Sequence, residues 1–87
     1  MSTDNIEISS TVWTEVAPAA SKGLLSNLLN SRIYIREGVA VPDSSIGNGH
    51  PLDSGISANI DLSSSGNSLY ARAIINEPIM EVCYTNY

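Results

Sequence analysis

Cysteine is nearly missing from this sequence. Cys83 is the single one among 87 residues, so no disulfide can form within the chain. The cysteine-dense scaffolds of small secreted domains are therefore excluded, and synthesis in a reducing compartment is the matching expectation. Histidine is as scarce, with His50 alone. A zinc site takes three or four His, Cys or carboxylate ligands, and one histidine and one cysteine far apart in sequence do not begin one. No metal and no cofactor is expected. Positive charge is short as well: four Lys and Arg stand against nine Asp and Glu, for a formal net charge of -5 and a pI near 4.4. That balance opposes phosphate backbones and anionic lipid, so nucleic acid is not an expected partner. Long apolar runs are absent too. No window approaches the roughly 18 apolar residues of a membrane span. The opening "MSTDNIEISS" has neither the basic start nor the apolar centre of a signal peptide. A soluble chain without membrane insertion follows as the expectation.

What is present is enough for one domain over residues 1–87 and one core. A chain of this size buries roughly 60–70% of its unfolded surface, which is marginal and makes oligomerisation a natural aid. The pattern is mostly that of strands. In "GISANIDLS" the residues Ile56, Ala58, Ile60 and Leu62 alternate with Ser57, Asn59, Asp61 and Ser63, the two-residue period of a strand with one wet face. "RIYIRE" sets Ile33 and Ile35 on one face and Arg32, Tyr34 and Arg36 on the other. "SLYARAII", "IMEVCYT" and "TVWTEV" complete five segments that read as strands. The stretch "SKGLLSNLLNS" supports two readings. Leu24, Leu25, Leu28 and Leu29 would share one helical face behind Ser21 as N-cap. Gly23, Ser26, Asn27 and Asn30 are poor helix formers, and Asn30-Ser31 suits the turn of a hairpin into "RIYIRE". Gly, Pro or Asn punctuates every separator, and there is no internal repeat or charge block. The fold class expected is all-β: a small antiparallel β-sandwich or barrel of about six strands, with a short helix near residues 21–30 as the alternative there and residues 1–9 as a flexible or exchanged arm.

Few residues invite chemistry. His50 and Asp53 lie three apart in "SSIGNGHPLDSG", but a Ser-His-Asp device also needs a positioned nucleophile, and no Gly-x-Ser-x-Gly elbow occurs. The glycines of "IGNGHP" lack the Gly-Lys-Ser/Thr end of a phosphate-binding loop. The segment reads as a connection, with Gly47 and Gly49 supplying permissive backbone, Pro51 stiffening the exit and Leu52 plugging the core edge. Glu77 and Glu81 read as solubilising surface charges. Cys83 reads as a small packing residue, since no basic residue adjoins it in sequence to favour a reactive thiolate. No catalytic, cofactor or metal residue is assigned. Arg32, Tyr34, Arg36, Tyr70 and Arg72 are the candidate protein-interface residues, because Arg and Tyr are enriched where proteins meet. Ion pairs on a wet sheet face are the plainer reading of the arginines.

The order of Trp13, then "LLSNLLNSRIYIREGVAVP", then "PLDSG", then "LYARAIINEPIMEVCYTNY" resembles small virion structural proteins of tailed bacteriophages. The matching residues are Trp13, Asn27, Ile33, Ile35, Pro42, Leu52, Gly55, Tyr70, Ala71, Arg72 and Val82, spread over most of residues 11–85. The resemblance implies a non-enzymatic β-sandwich made in the host cytoplasm and built into the virion, as head decoration or as part of the tail or fibre. Its implied partners are phage capsid or tail proteins, together with copies of itself; a trimer is expected from the resemblance alone. The competing expectation is a receptor- or glycan-binding tip module, which requires Trp13 and the tyrosines to cluster in the open on one edge. A small enzyme or inhibitor is the remaining class, and no constellation of residues outlines its site.

Overall fold

The computed structural model describes residues 2–87. It contains eight strands: β1 (Ser2–Glu7), β2 (Thr14–Ala17), β3 (Lys22–Asn27), β4 (Ile33–Gly38), β5 (His50–Leu52), β6 (Ser57–Asp61), β7 (Ser68–Ala73) and β8 (Glu81–Asn86). They form two four-stranded sheets in the orders β1-β8-β3-β6 and β2-β7-β4-β5. Every pairing is antiparallel. The two inner faces enclose one core, in which Leu25, Leu62, Val82 and Tyr84 of the first sheet and its flanks meet Val16, Ile33, Ile35, Leu52, Leu69, Ala71 and Ala73 of the second. The domain is an all-β sandwich of eight strands, where the sequence had suggested about six.

The two additional strands are those with the weakest patterning. Residues 1–9 were expected as an arm. From Ser2 to Glu7 they pair residue for residue with β8, Ser2 opposite Asn86 and Glu7 opposite Glu81. β5 is only three residues long and carries Pro51, which is tolerated because β5 is a sheet edge.

The helix considered for residues 21–30 does not form. β3 lies between β6 and β8 and bonds to both, so each of its residues finds ladder partners that a three-turn helix would have forgone. Its burial alternates, with Gly23, Leu25 and Asn27 inward, and the doubled leucines are divided between faces. Leu29 is buried at the lower turn while Leu28 is exposed. Gly23 is needed for contact. A Cβ at this position would run into the Thr85 carbonyl oxygen and the Tyr84 ring.

At the lower end of the sandwich lie the loops 8–13, 28–32, 53–56 and 74–80; at the upper end lie 18–21, 39–49 and 62–67. Of the "PLDSG" segment, read from sequence as part of a connection, Pro51 and Leu52 instead belong to β5, and the turn follows at Asp53–Ile56. Gly55 takes φ +75°, its N–H donates to the Asn27 carbonyl at 3.0 Å, and Ile56 N–H closes the turn on Asp53 O at 3.1 Å.

Candidate interaction surfaces

Four of the five sequence-assigned interface residues come together on the outer face of the second sheet. Tyr34 stands opposite Arg72 and Arg36 opposite Tyr70, and their alternate neighbours Ile33, Ile35, Leu69, Ala71 and Ala73 fill the core. This face is not open, because residues 39–49 fold across it. Arg72 Nη1 donates to the carbonyl oxygens of Ser44 at 2.7 Å and Ile46 at 3.1 Å, while its Nε donates to Ser10 O at 3.2 Å. Arg36 Nη1 donates to Asn48 O at 2.9 Å. Trp13, immediately before β2, donates from its indole Nε1 to Ile46 O at 2.8 Å. The result is a second, smaller buried layer: Trp13 is 4% and Tyr70 7% exposed, yet neither belongs to the inter-sheet core. Carbonyl groups of an irregular loop need donors when they approach a protein surface, and the two arginine forks and the indole supply them. Gly49 permits the approach, since a Cβ there would stand 2.5 Å from Ile35 O and 2.8 Å from Arg36 Cγ. Close packing is therefore its role, and its φ is not among the positive ones.

The remaining member, Arg32, lies apart from these four. Its Nε reaches Asp53 Oδ1 at 2.6 Å, with both side chains more than half exposed. The hydrogen bond and the charge of Asp53 raise the Arg32 pKa further above its already high ordinary value, and an exposed pair of this kind adds little stability. Asp53 is thus engaged by Arg32. His50 is exposed on β5, opposite Ile35; it stands in a strand, where the sequence had suggested a loop.

Glu77 has a more specific place than a solubilising charge. It is half-buried, and its carboxylate accepts from the Asn30 N–H at 2.9 Å and from the Ser31 hydroxyl, tying loop 74–80 to the β3–β4 turn. Cys83 is a free, half-buried thiol on the outer face of the first sheet, between Asn5 and Ser26. Among the described residues, no group of three or more His, Cys, Asp or Glu side chains is placed to hold a metal ion.

The surface that sequence reading missed is the lower end. Val12 is 49%, Leu28 51%, Ile56 51%, Ile74 44%, Ile75 54% and Ile79 68% exposed, so each of the four lower loops presents at least one aliphatic side chain to solvent. Val39, Val41 and Tyr87 are exposed elsewhere; single exposed aliphatics are ordinary, and six gathered at one end of a small domain make that end a candidate contact surface. Its rim is acidic, with Glu7, Glu77 and Glu81 around a depression of about 360 Å³ that also touches Ile79 and Met80. In sequence the signal was the pair Ile74-Ile75 running past the end of β7, two apolar residues in succession where a strand with one wet face would alternate.

Against known proteins the chain finds no counterpart: no family model matches it, and neither a curated protein nor a solved structure does so significantly.

Proposed function

We propose that this chain is a non-enzymatic virion structural protein of a tailed bacteriophage, acting by assembly on a capsid or tail protein and in homo-oligomeric form. The observation that carries the reading is the exposed aliphatic end built by all four lower loops. The partner that fits it presents an apolar recess bordered by Lys or Arg, complementary to the rim of Glu7, Glu77 and Glu81. The phage assignment itself rests on the sequence resemblance over residues 11–85.

A glycan-binding tip needs exposed rings on which a sugar can stack. Trp13, Tyr70 and Tyr84 are 4%, 7% and 3% exposed and Tyr34 is half-buried, which leaves Tyr87, 63% exposed, as the one open ring among the described residues rather than a cluster, and this weighs against that reading.

The experiment is co-sedimentation of the purified chain with tailed-phage particles that lack it. The wild-type chain should pellet with the particles, and Ile75→Glu combined with Ile79→Glu should abolish pelleting while the far-ultraviolet circular dichroism stays that of a β protein. Failure of the wild-type chain to bind would remove the assignment. Undiminished binding by the double variant would remove the lower end as the contact.

A further inference from the structure

An open β-sandwich has four edge strands, each a row of unpaired backbone donors and acceptors that will recruit another strand unless something prevents it. In this domain the edges are β1 and β6 of one sheet and β2 and β5 of the other. Three carry a recognisable block. β1 turns Asp4 toward the inner side, in register with buried Tyr84, and an inward charge on an edge is a standard deterrent. β2 is four residues long, shifts register between Glu15 and Ala17, and runs into Pro18. β5 is three residues long and contains Pro51.

β6 has none of these. Its five residues include no proline and no bulge, its inward positions are Ala58 and Ile60, both half-buried, and its single charge, Asp61, points outward. A cleft of about 360 Å³ runs alongside, lined by Asn59, Ile60, Asp61 and Leu62 on this side and by His50 and Glu37 on the other. The short β5 therefore does not cover the edge.

The direction of the free groups follows from the ladder. β6 pairs with β3 so that Asp61 faces Lys22 and Ser57 faces Ser26. Beyond the two ends of this ladder, Leu62 N–H donates to Ser21 O at 2.8 Å and Asn27 N–H to Ile56 O at 3.0 Å. In an antiparallel pair the hydrogen-bonded positions alternate, so residues 56, 58, 60 and 62 turn their backbone groups to β3. Ser57, Asn59 and Asp61 turn theirs to the open edge.

We propose that β6 pairs with the β6 of a second copy of this chain, antiparallel about a two-fold axis at Asn59, joining two four-stranded sheets into one of eight. In this register Asn59 meets Asn59, and Ser57 meets Asp61 at either side. Every outward backbone group is then used, each of these pairs exchanging two hydrogen bonds. The only charge on the strand opposes a serine rather than its own copy, and Ala58 lies against Ile60 on the inner side, where both are half exposed in the single chain. The interface is isologous and closed, which suits a discrete dimer and not a fibre. It does not depend on which particle, if any, the protein joins.

The test has two arms. In the first, light scattering on the wild-type chain from micromolar to millimolar concentration should show a species of twice the 9.2 kDa chain mass. Asn59→Pro should remain monomeric with unchanged circular dichroism, since the N–H it removes points away from β3 and an edge strand accepts proline. A wild-type chain that stays monomeric throughout, forms a trimer, or associates equally well as Asn59→Pro overturns the proposal.

In the second arm, cysteines are placed in a Cys83→Ser background and oxidised. At a hydrogen-bonded antiparallel pair the Cα atoms are about 5.5 Å apart, within disulfide reach. Asn59→Cys should therefore give a covalent dimer. Ser57→Cys alone should not, its two copies lying about 14 Å apart along the strands, whereas Ser57→Cys mixed with Asp61→Cys should cross-link. Cross-linking of Ser57→Cys with itself as readily as with Asp61→Cys would show another register or none, and would overturn the proposal even if Asn59→Pro failed to fold.

Discussion

Asn27 Nδ2 donates to the carbonyl oxygen of Leu52 at 2.9 Å, a hydrogen bond that fastens the end of β3 to the last residue of β5 across the two sheets. The same amide group donates to Ser31 O at 2.9 Å, and its Oδ1 accepts from Leu29 N–H at 2.9 Å. The side chain is 1% exposed, and the bonds to Leu52 O and from Leu29 N–H are buried, so water cannot replace those two. Asn27→Leu should cost about 3 kcal/mol, because each stranded buried backbone group costs roughly 1–3 kcal/mol and partial relaxation recovers some of it. Urea unfolding should show a lower midpoint at an unchanged slope. A loss below about 1 kcal/mol would mean that the turn re-bonds without the amide.

Gly23 and Tyr84 form a second contact of this kind. The ring lies over the glycine, and its hydroxyl meets Ser21 Oγ at 2.8 Å while Ser21 Oγ donates to Pro18 O at 2.7 Å. Gly23→Ala should destabilise by about 2 kcal/mol, since an added carbon in a packed site costs roughly 1–3 kcal/mol. Tyr84→Phe should cost only about 1 kcal/mol, the net worth of one buried hydrogen bond. Thermal unfolding of the two variants side by side checks the order.

Arg72 holds residues 39–49 over Trp13 through the carbonyl oxygens of Ser44 and Ile46. Arg72→Met keeps the apolar stem and removes the donors. The loop should then open, with a red-shifted tryptophan fluorescence and faster proteolytic cleavage within residues 39–49, while the inter-sheet core stays intact. His50→Ala, on exposed β5, should change stability by no more than about 0.5 kcal/mol. An Arg72→Met protein with wild-type fluorescence would show that packing alone keeps the loop down.

Acid should weaken two exposed turns. The Ser63 hydroxyl at 2.6 Å and the Ser63 N–H at 3.0 Å donate to Asp61 Oδ1 and hold its carboxyl below the ordinary range. The Ser45 N–H at 2.8 Å does the same for Asp43. Both pKa values are depressed by folding, so the contribution is fully present above the unfolded value of about 3.9 and is lost as pH falls through the folded one. The contribution of these two turns should therefore be constant above about pH 5 and be lost below it, and Asp43→Asn combined with Asp61→Asn should reduce the acid-induced loss of stability. A melting-temperature difference between the two proteins that stays constant on acidification would contradict the sign.

The period-two alternations were enough to place β4, β6, β7 and β8, because a strand with one wet face must alternate wherever it lies. They could not rank burial. The most regular strand, β6, is an edge whose inward residues Ala58 and Ile60 are only half-buried, whereas β3, whose leucines also fit a helix, is an interior strand of its sheet. β1 and β5 carry too little pattern to be seen: "STDNIE" is almost wholly polar and "HPL" holds a proline. They are strands because neighbouring strands offer them hydrogen bonds, which is information held by β8 and β4.

The candidate surfaces divide in the same way. Local sequence put Tyr34, Arg36, Tyr70 and Arg72 on one side of two strands, and that placement follows from residue parity alone. Whether this side faces solvent depended on residues 39–49, whose carbonyls needed donors and found them in Arg36, Arg72 and Trp13. The aliphatic lower end is likewise a product of topology. Val12, Leu28, Ile56, Ile74, Ile75 and Ile79 are scattered through the chain, and antiparallel pairing alone brings their four loops to the same end. Strand identity was thus determined by short-range periodicity. Exposure, edge position and the gathering of distant loops were decided by which strands pair, since those depend on contacts between residues that no sequence window contains.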